Sequence, residues 1–157
     1  MELNHLIQAF SGSREKQEKA IFSSLFIISN KLQTIFDYDS SDISLKQFML
    51  LTMIRQSQAP LTLTKLGQLL GCSRQNIKKL AIVLEKKGYV VIENNPLDVR
   101  TYSMISTPKL HDYFEEIAEH HNQCLANLFS SYTDEEIQML FKLMMGMHKS
   151  VEQLKEV

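Results

Sequence analysis

The chain has 157 residues, a formal net charge of −1, 44% hydrophobic and 22% charged residues. Those values argue against disorder over most of the length and suit one soluble globular domain, or two small lobes sharing a core. Five Gly and three Pro leave few breaks, so long helices are expected, and eight Met with no Trp suit adaptable apolar surfaces.

The elements follow in chain order. Leu3, Leu6, Ile7 and Phe10 have the spacing of a short amphipathic helix. Ser11-Gly12-Ser13 breaks it, and Ser13 is placed to cap a long helix reaching about Asp37. Ile21, Leu25, Ile28, Leu32 and Ile35 line that helix, and Phe22, Phe26 and Ile27 widen the stripe, which predicts burial on more than one side. After the polar loop YDSSDIS, Ser44 and Gln47 form a capping box for a helix through Phe48, Leu51 and Ile54. QSQAP ends it, LTL reads as a short strand, and Thr64 is the expected cap of a helix running to Leu70.

Gly71-Cys72-Ser73 reads as a turn, with Gly71 ending one helix and Ser73 capping the next, which runs to about Lys87 before Gly88. YVVIE and TYSMIST read as two strands joined by NNPLDVR, a β-hairpin. Thr107-Pro108 opens a long helix, with Thr as cap and Pro at the first position, to about Ser131. Thr133-Asp134-Glu135-Glu136 is a capping box for a last helix with Ile137, Leu140, Phe141, Met144, Met147, Val151 and Leu154 on its apolar face. The fold class is mainly α with a small β-hairpin.

Residues 74–87 hold Arg74, Lys78, Lys79, Lys86 and Lys87 against one acid, Glu85, so this stretch sums to +4 and the remainder to −5. Two short helices joined by a glycine turn form a helix-turn-helix. Ile77, Leu80, Ala81 and Leu84 must face inward, which leaves Arg74, Gln75, Lys78 and Lys79 on the outer face near the helix N-terminus. Arg and Gln suit base edges, and Lys78, Lys79 and Ser73 suit phosphates. Asn76 is within reach of either. Asp98 and Arg100, two apart, point the same way on a strand, so Arg100 is a candidate minor-groove contact with Asp98 holding its guanidinium.

The span from Leu45 to Thr107, through LTLTKLGQLLGCSRQNIKKLAIVLEKKGYV and NNPLDVRTYSMIST, resembles the winged helix-turn-helix of the MarR family of bacterial transcription factors. Asp98-Val99-Arg100 matches the Asp-x-Arg element of that family's wing. Val99 stands where a second arginine is common, and Ser106-Thr107-Pro108 replaces the usual Leu-Thr ending of the second strand. The resemblance implies a winged helix-turn-helix DNA-binding domain over 38–107 and a helical dimerisation region from 1–37 and 108–157. It also implies a homodimer on double-stranded DNA at a pseudo-palindromic operator, acting as a repressor. Independently, the stripes at both chain ends, with Leu6, Ile7 and Phe10 in one and Leu140, Met144, Met147, Val151 and Leu154 in the other, leave little of a small core to cover, and pairing with a two-fold mate would bury them.

The resemblance further implies a small aromatic effector, for which Phe22, Phe26, Phe36, Tyr38 and Phe48 are candidate pocket residues. Cys72, beside the basic helix, is a candidate redox site, and Cys124 is expected to be packed. His111, Glu115, Glu116, Glu119, His120 and His121 crowd one helix, but their i, i+4 pairs read as a solvated face and no metal is expected. No cofactor is expected, and no catalytic motif appears, so an enzyme is not expected. MELNHLIQAF lacks the marks of a secretory leader and AIFSSLFIIS is too short to span a bilayer, which points to a cytoplasmic protein, associated with the nucleoid through DNA. The rival readings are a winged helix used for protein contacts alone, and a redox- or metal-responsive form of the same regulator.

Overall fold

The structure, a computed structural model, describes residues 3–39, 42–95 and 98–154; the side chains of Leu3, Asn4, Leu6, Asp39 and Val99 lie outside the described ones. The elements are α1 (Leu3–Phe10), α2 (Arg14–Asp39), α3 (Leu45–Gln56), β1 (Leu61–Thr62), α4 (Leu63–Leu70), α5 (Arg74–Lys86), β2 (Val90–Asn95), β3 (Asp98–Ser106), α6 (Pro108–Phe129) and α7 (Asp134–Leu154). The chain divides into two compact units, Met1–His111 and Asp112–Val157.

The core of the first unit is supplied by α3, α4, α5 and the sheet. Leu50 and Leu51 of α3, Leu66 of α4, Ile77, Ala81 and Leu84 of α5, Met104 of β3 and Leu110 of α6 are fully buried. Each large aliphatic side chain so removed from water contributes about 1.5–3 kcal/mol. The starts of α2 and α3 follow the expected caps. Ser13 Oγ accepts from the Lys16 amide, and Ser44 and Gln47 close a reciprocal capping box. The α3 start is tied further by Asp37 of α2, whose Oδ1 accepts the Leu45 amide at 2.6 Å.

The sheet has three antiparallel strands in the order β1-β3-β2, so the expected hairpin carries a third strand on its other side. Thr62 pairs with Ser103 and ends β1. Its side chain then accepts from the Lys65 amide, making Thr62 the cap of α4 where Thr64 was expected. Strand pairing sets that boundary two residues early. Pro108 is the first residue of α6, as expected, and Thr107 ahead of it has a further engagement. Its Oγ lies 2.7 Å from the Gly88 carbonyl oxygen and 3.0 Å from that of Tyr89, so the hydroxyl donates back toward the start of β2.

Burial along α2 departs from the sequence expectation as well. Ile21, Phe22, Phe26, Ile27, Ile28 and Ile35 are all exposed, with only Leu25 and Phe36 among its large apolar residues half-buried. The apolar stripe is present, and it stands exposed.

In the second unit, α7 opens with the predicted capping box: Glu136 accepts the Thr133 amide at 2.9 Å and Thr133 Oγ accepts the Glu136 amide at 3.3 Å. No described residue of α7 is buried. Cys124 of α6, expected to be packed, is exposed.

Candidate nucleic-acid interface

The turn between α4 and α5 depends on two glycines. Gly71 adopts the left-handed conformation, φ 66° and ψ 28°, which ends α4. Gly67 lies where the chain folds back on the helix, and a Cβ there would sit 2.6 Å from the Cys72 carbonyl oxygen. The sequence reading missed Gly67; a glycine one turn before a helix end was the available signal. The Cys72 amide donates to the Gly67 carbonyl at 2.8 Å and closes the turn. The Cys72 side chain is exposed, with Sγ 3.5 Å from the Leu70 carbonyl oxygen.

Ser73 caps α5, accepting the Asn76 amide at 3.2 Å. Beyond the cap the N-terminal half of the helix is divided by burial, while Leu80 is half-buried and Ile82 and Val83 further along are exposed. Ile77, Ala81 and Leu84 are fully buried, whereas Arg74, Gln75, Asn76, Lys78 and Lys79 are exposed. Burying one face prevents the helix from rolling, so the five polar side chains are presented together at its N-terminal half. Arginine, lysine and amide groups in this arrangement offer fixed donors to anions and to base edges.

Two charges counted in the basic stretch are engaged elsewhere. The Lys87 ammonium lies 3.1 Å from Asp42 Oδ1 and also donates to the Asp42 backbone carbonyl. Tyr89 donates its hydroxyl to Asp42 Oδ2 at 2.9 Å. The Tyr89 hydrogen bond first, then Lys87, lowers the Asp42 carboxyl below its ordinary value. Lys109 stands over the Tyr89 ring at 4.6 Å and donates to the Lys87 carbonyl at 2.6 Å, placing a cation at the C-terminal end of α5. Glu85 accepts the Ile92 amide of β2 at 2.7 Å.

At the wing, the register jumps from Asn94↔Tyr102 to Asn95↔Asp98, so residues 99–101 form a bulge on β3. Arg100 sits in that bulge and is exposed. Asp98 shapes it: Oδ1 accepts the Arg100 backbone amide at 3.0 Å, and the Asp98 carbonyl accepts from the Thr101 hydroxyl at 3.0 Å. Asp98 therefore bonds the arginine's main chain, where a hold on the guanidinium was expected. A bulge re-aims the side chain it carries.

The other candidates are less concentrated. Ile7, Phe10, Leu140, Val151 and Leu154 are exposed, Met144 and Met147 are half-buried, and the Leu6 side chain is outside the described ones. The aromatic candidates separate into two pairs, Phe22 against Phe26 and Phe36 against Phe48, each with ring centroids 5.1 Å apart, while Tyr38 is exposed. Among the described residues no group of three or more His, Cys, Asp or Glu is arranged to hold a metal ion. Burial first, then neighbouring His120, lowers the His121 imidazole from its ordinary value.

The MarR family model matches residues 43–102, from the buried Ile43 to Tyr102 of the wing. A MarR protein from Peptoclostridium difficile is 30% identical and superposes with a TM-score of 0.75, over 85% of this chain and 88% of that one. A MarR family transcriptional regulator from Streptomyces coelicolor, solved in complex with DNA, is 21% identical with a TM-score of 0.75, over 88% of this chain and 89% of that one. At that identity the likeness speaks for the fold. The transcriptional repressor MprA of Escherichia coli K12 is 25% identical over 107 residues, 68% of this chain and 61% of MprA, so the match spans less than two thirds of that repressor. With the helix-turn-helix, the bulged wing and these relatives together, the chain belongs to the MarR family, whose members are transcriptional regulators and not enzymes.

Proposed function

We propose that the protein is a sequence-specific DNA-binding repressor that occupies a pseudo-palindromic operator as a cytoplasmic homodimer. The single observation that carries the reading is the division of α5, with Ile77, Ala81 and Leu84 fully buried and Arg74, Gln75, Asn76, Lys78 and Lys79 exposed. In a helix-turn-helix that exposed N-terminal half enters the major groove, and the bulged Arg100 serves the adjacent backbone or minor groove. Apolar side chains left exposed on α1, α2 and α7 support pairing with a second copy. The domain assignment follows: residues 38–107 read DNA, and 1–37 with 108–157 dimerise. Release by a small aromatic compound extends the reading, supported by the Phe36–Phe48 pair where α2 meets α3.

A salt titration tests it, using the duplex upstream of the protein's own gene and a scrambled duplex of equal length. Tight binding to the first, weak binding to the second and a steep negative slope of affinity on salt are expected. Equal, feeble binding to both would sink self-regulation. No binding near physiological salt would sink the DNA reading and leave the protein-contact alternative.

A further inference from the structure

Glu85 is the one acid in the basic stretch, and a helix that binds DNA has an evident reason to exclude it. By helical spacing it falls on the row of Arg74 and Lys78, at i+11 and i+7 from them. At 1.5 Å per residue its carboxylate is displaced about 10 Å along the axis from Lys78, near one Debye length at physiological salt. By charge alone Glu85 opposes an anionic partner.

Its geometry gives a different reason for its presence. β2 is an edge strand of the sheet, paired with β3 on one side only. The Ile92 amide on β2 donates to Glu85 Oε1 at 2.7 Å, a short charge-assisted bond between the side chain of α5 and the backbone of the wing. Just ahead of β2 the Tyr89 amide donates to the Leu84 carbonyl at 3.0 Å, the bond that closes the C-terminus of α5 around Gly88. That bond fixes where the chain leaves the helix, and the Glu85–Ile92 bond ties the middle of β2 back to it. Beyond Ile92 the strand runs through Asn94 and Asn95 to the bulge that carries Arg100.

We propose that Glu85 is a positioning residue that sets the angle between the wing and the recognition helix, so that Arg74 and Arg100 engage one DNA site together. The inference rests on the DNA-binding reading above. Without the bond, the hairpin beyond Ile92 pivots on its base and Arg100 is no longer held in a fixed place relative to α5.

Two substitutions separate positioning from charge. Glu85→Gln keeps an oxygen to accept the Ile92 amide and removes the negative charge. Glu85→Ala removes both. If Glu85 acts only through its charge, both variants bind operator DNA more tightly than the wild type. If it positions the wing, Glu85→Gln binds at least as well as the wild type, while Glu85→Ala loses as much affinity as Arg100→Ala does. The double variant Glu85→Ala with Arg100→Ala is then no weaker than Arg100→Ala alone. Tighter binding by Glu85→Ala, or fully additive losses in the double variant, would overturn the proposal. Amide exchange at Ile92 in the DNA-free protein supplies an independent readout: it should quicken in Glu85→Ala and stay slow in Glu85→Gln. Unchanged exchange in Glu85→Ala also overturns the clamp. A wild-type protein that binds no DNA would instead overturn the regulator reading, with the clamp still decided by exchange at Ile92.

Discussion

Residues 43–110 and the terminal helices solve the same amphipathic problem to different degrees. In the first region Ile77, Ala81 and Leu84 of α5 and Leu50 and Leu51 of α3 are fully buried by their own chain. In α7 nothing described is buried, and on α2 Phe22, Phe26 and Ile35 stand more than half exposed. Hydrophobic periodicity therefore reports that a face must be covered, and the tertiary structure reports by what. The first region carries a core that holds its reading face rigid. The terminal helices carry exposed apolar side chains, which are the physical basis of the proposed dimer.

The contrast can be broken most forcefully at Leu140. This residue is exposed in the single chain, so Leu140→Glu should leave the chain folded but abolish association. A central interface residue contributes at least about 2 kcal/mol, and operator affinity should fall with dimerisation. Analytical ultracentrifugation decides the point: an unchanged sedimentation coefficient would remove α7 from the interface. Leu66→Ala probes the opposite case. Leu66 is fully buried, and a cavity there should cost about 2–5 kcal/mol of stability, read as a lower urea midpoint. That loss should be the same at every protein concentration if it belongs to the lobe alone.

Gly67→Ala sharpens the view that the turn, and not only the core, sets the site. The added methyl meets the Cys72 carbonyl oxygen, and forcing the backbone aside should cost about 1–3 kcal/mol. Circular dichroism melts read the stability loss, and a gel-shift titration should show weaker operator binding even well below the melting temperature. At the surface of the same region, Arg74→Ala should weaken specific DNA binding by about 1–3 kcal/mol, while Lys78→Ala should weaken all sequences alike and reduce the salt slope by about one.

Asp42 offers the smallest effect. Its carboxyl is held below the ordinary value of 3.8 by the Tyr89 hydrogen bond and then by Lys87. The folded state thus favours the carboxylate, so its contribution is whole above that ordinary value and is lost as the pH falls through the lower folded one. Because the Asp42 carboxylate itself is solvent-exposed, the gain is within about 1 kcal/mol. Asp42→Asn should therefore be slightly less stable than the wild type at neutral pH, with the gap closing below pH 3.8 in a series of thermal melts.

Much of this architecture was legible from local chemistry. Ser13, Ser44, Ser73 and Thr133 cap where their positions imply, because a cap bond spans only three residues. Gly71 marks the turn because its left-handed backbone suits only a residue without a Cβ. The exposed face of α5 follows from helical period alone. Tertiary contacts decided the rest. Pairing of β1 with β3 moved the α4 cap from Thr64 to Thr62. The bulge turned Asp98 toward a backbone amide. Asp42 drew Lys87 out of the basic face across 45 positions of sequence. Glu85, seven residues from Ile92, met it only because β2 lies against α5. Sequence by itself determined which segments fold and which faces are apolar or basic, since those depend on neighbours one helical turn away. Which charges remain for a ligand, and how the wing is held to the helix, depended on groups brought together by folding.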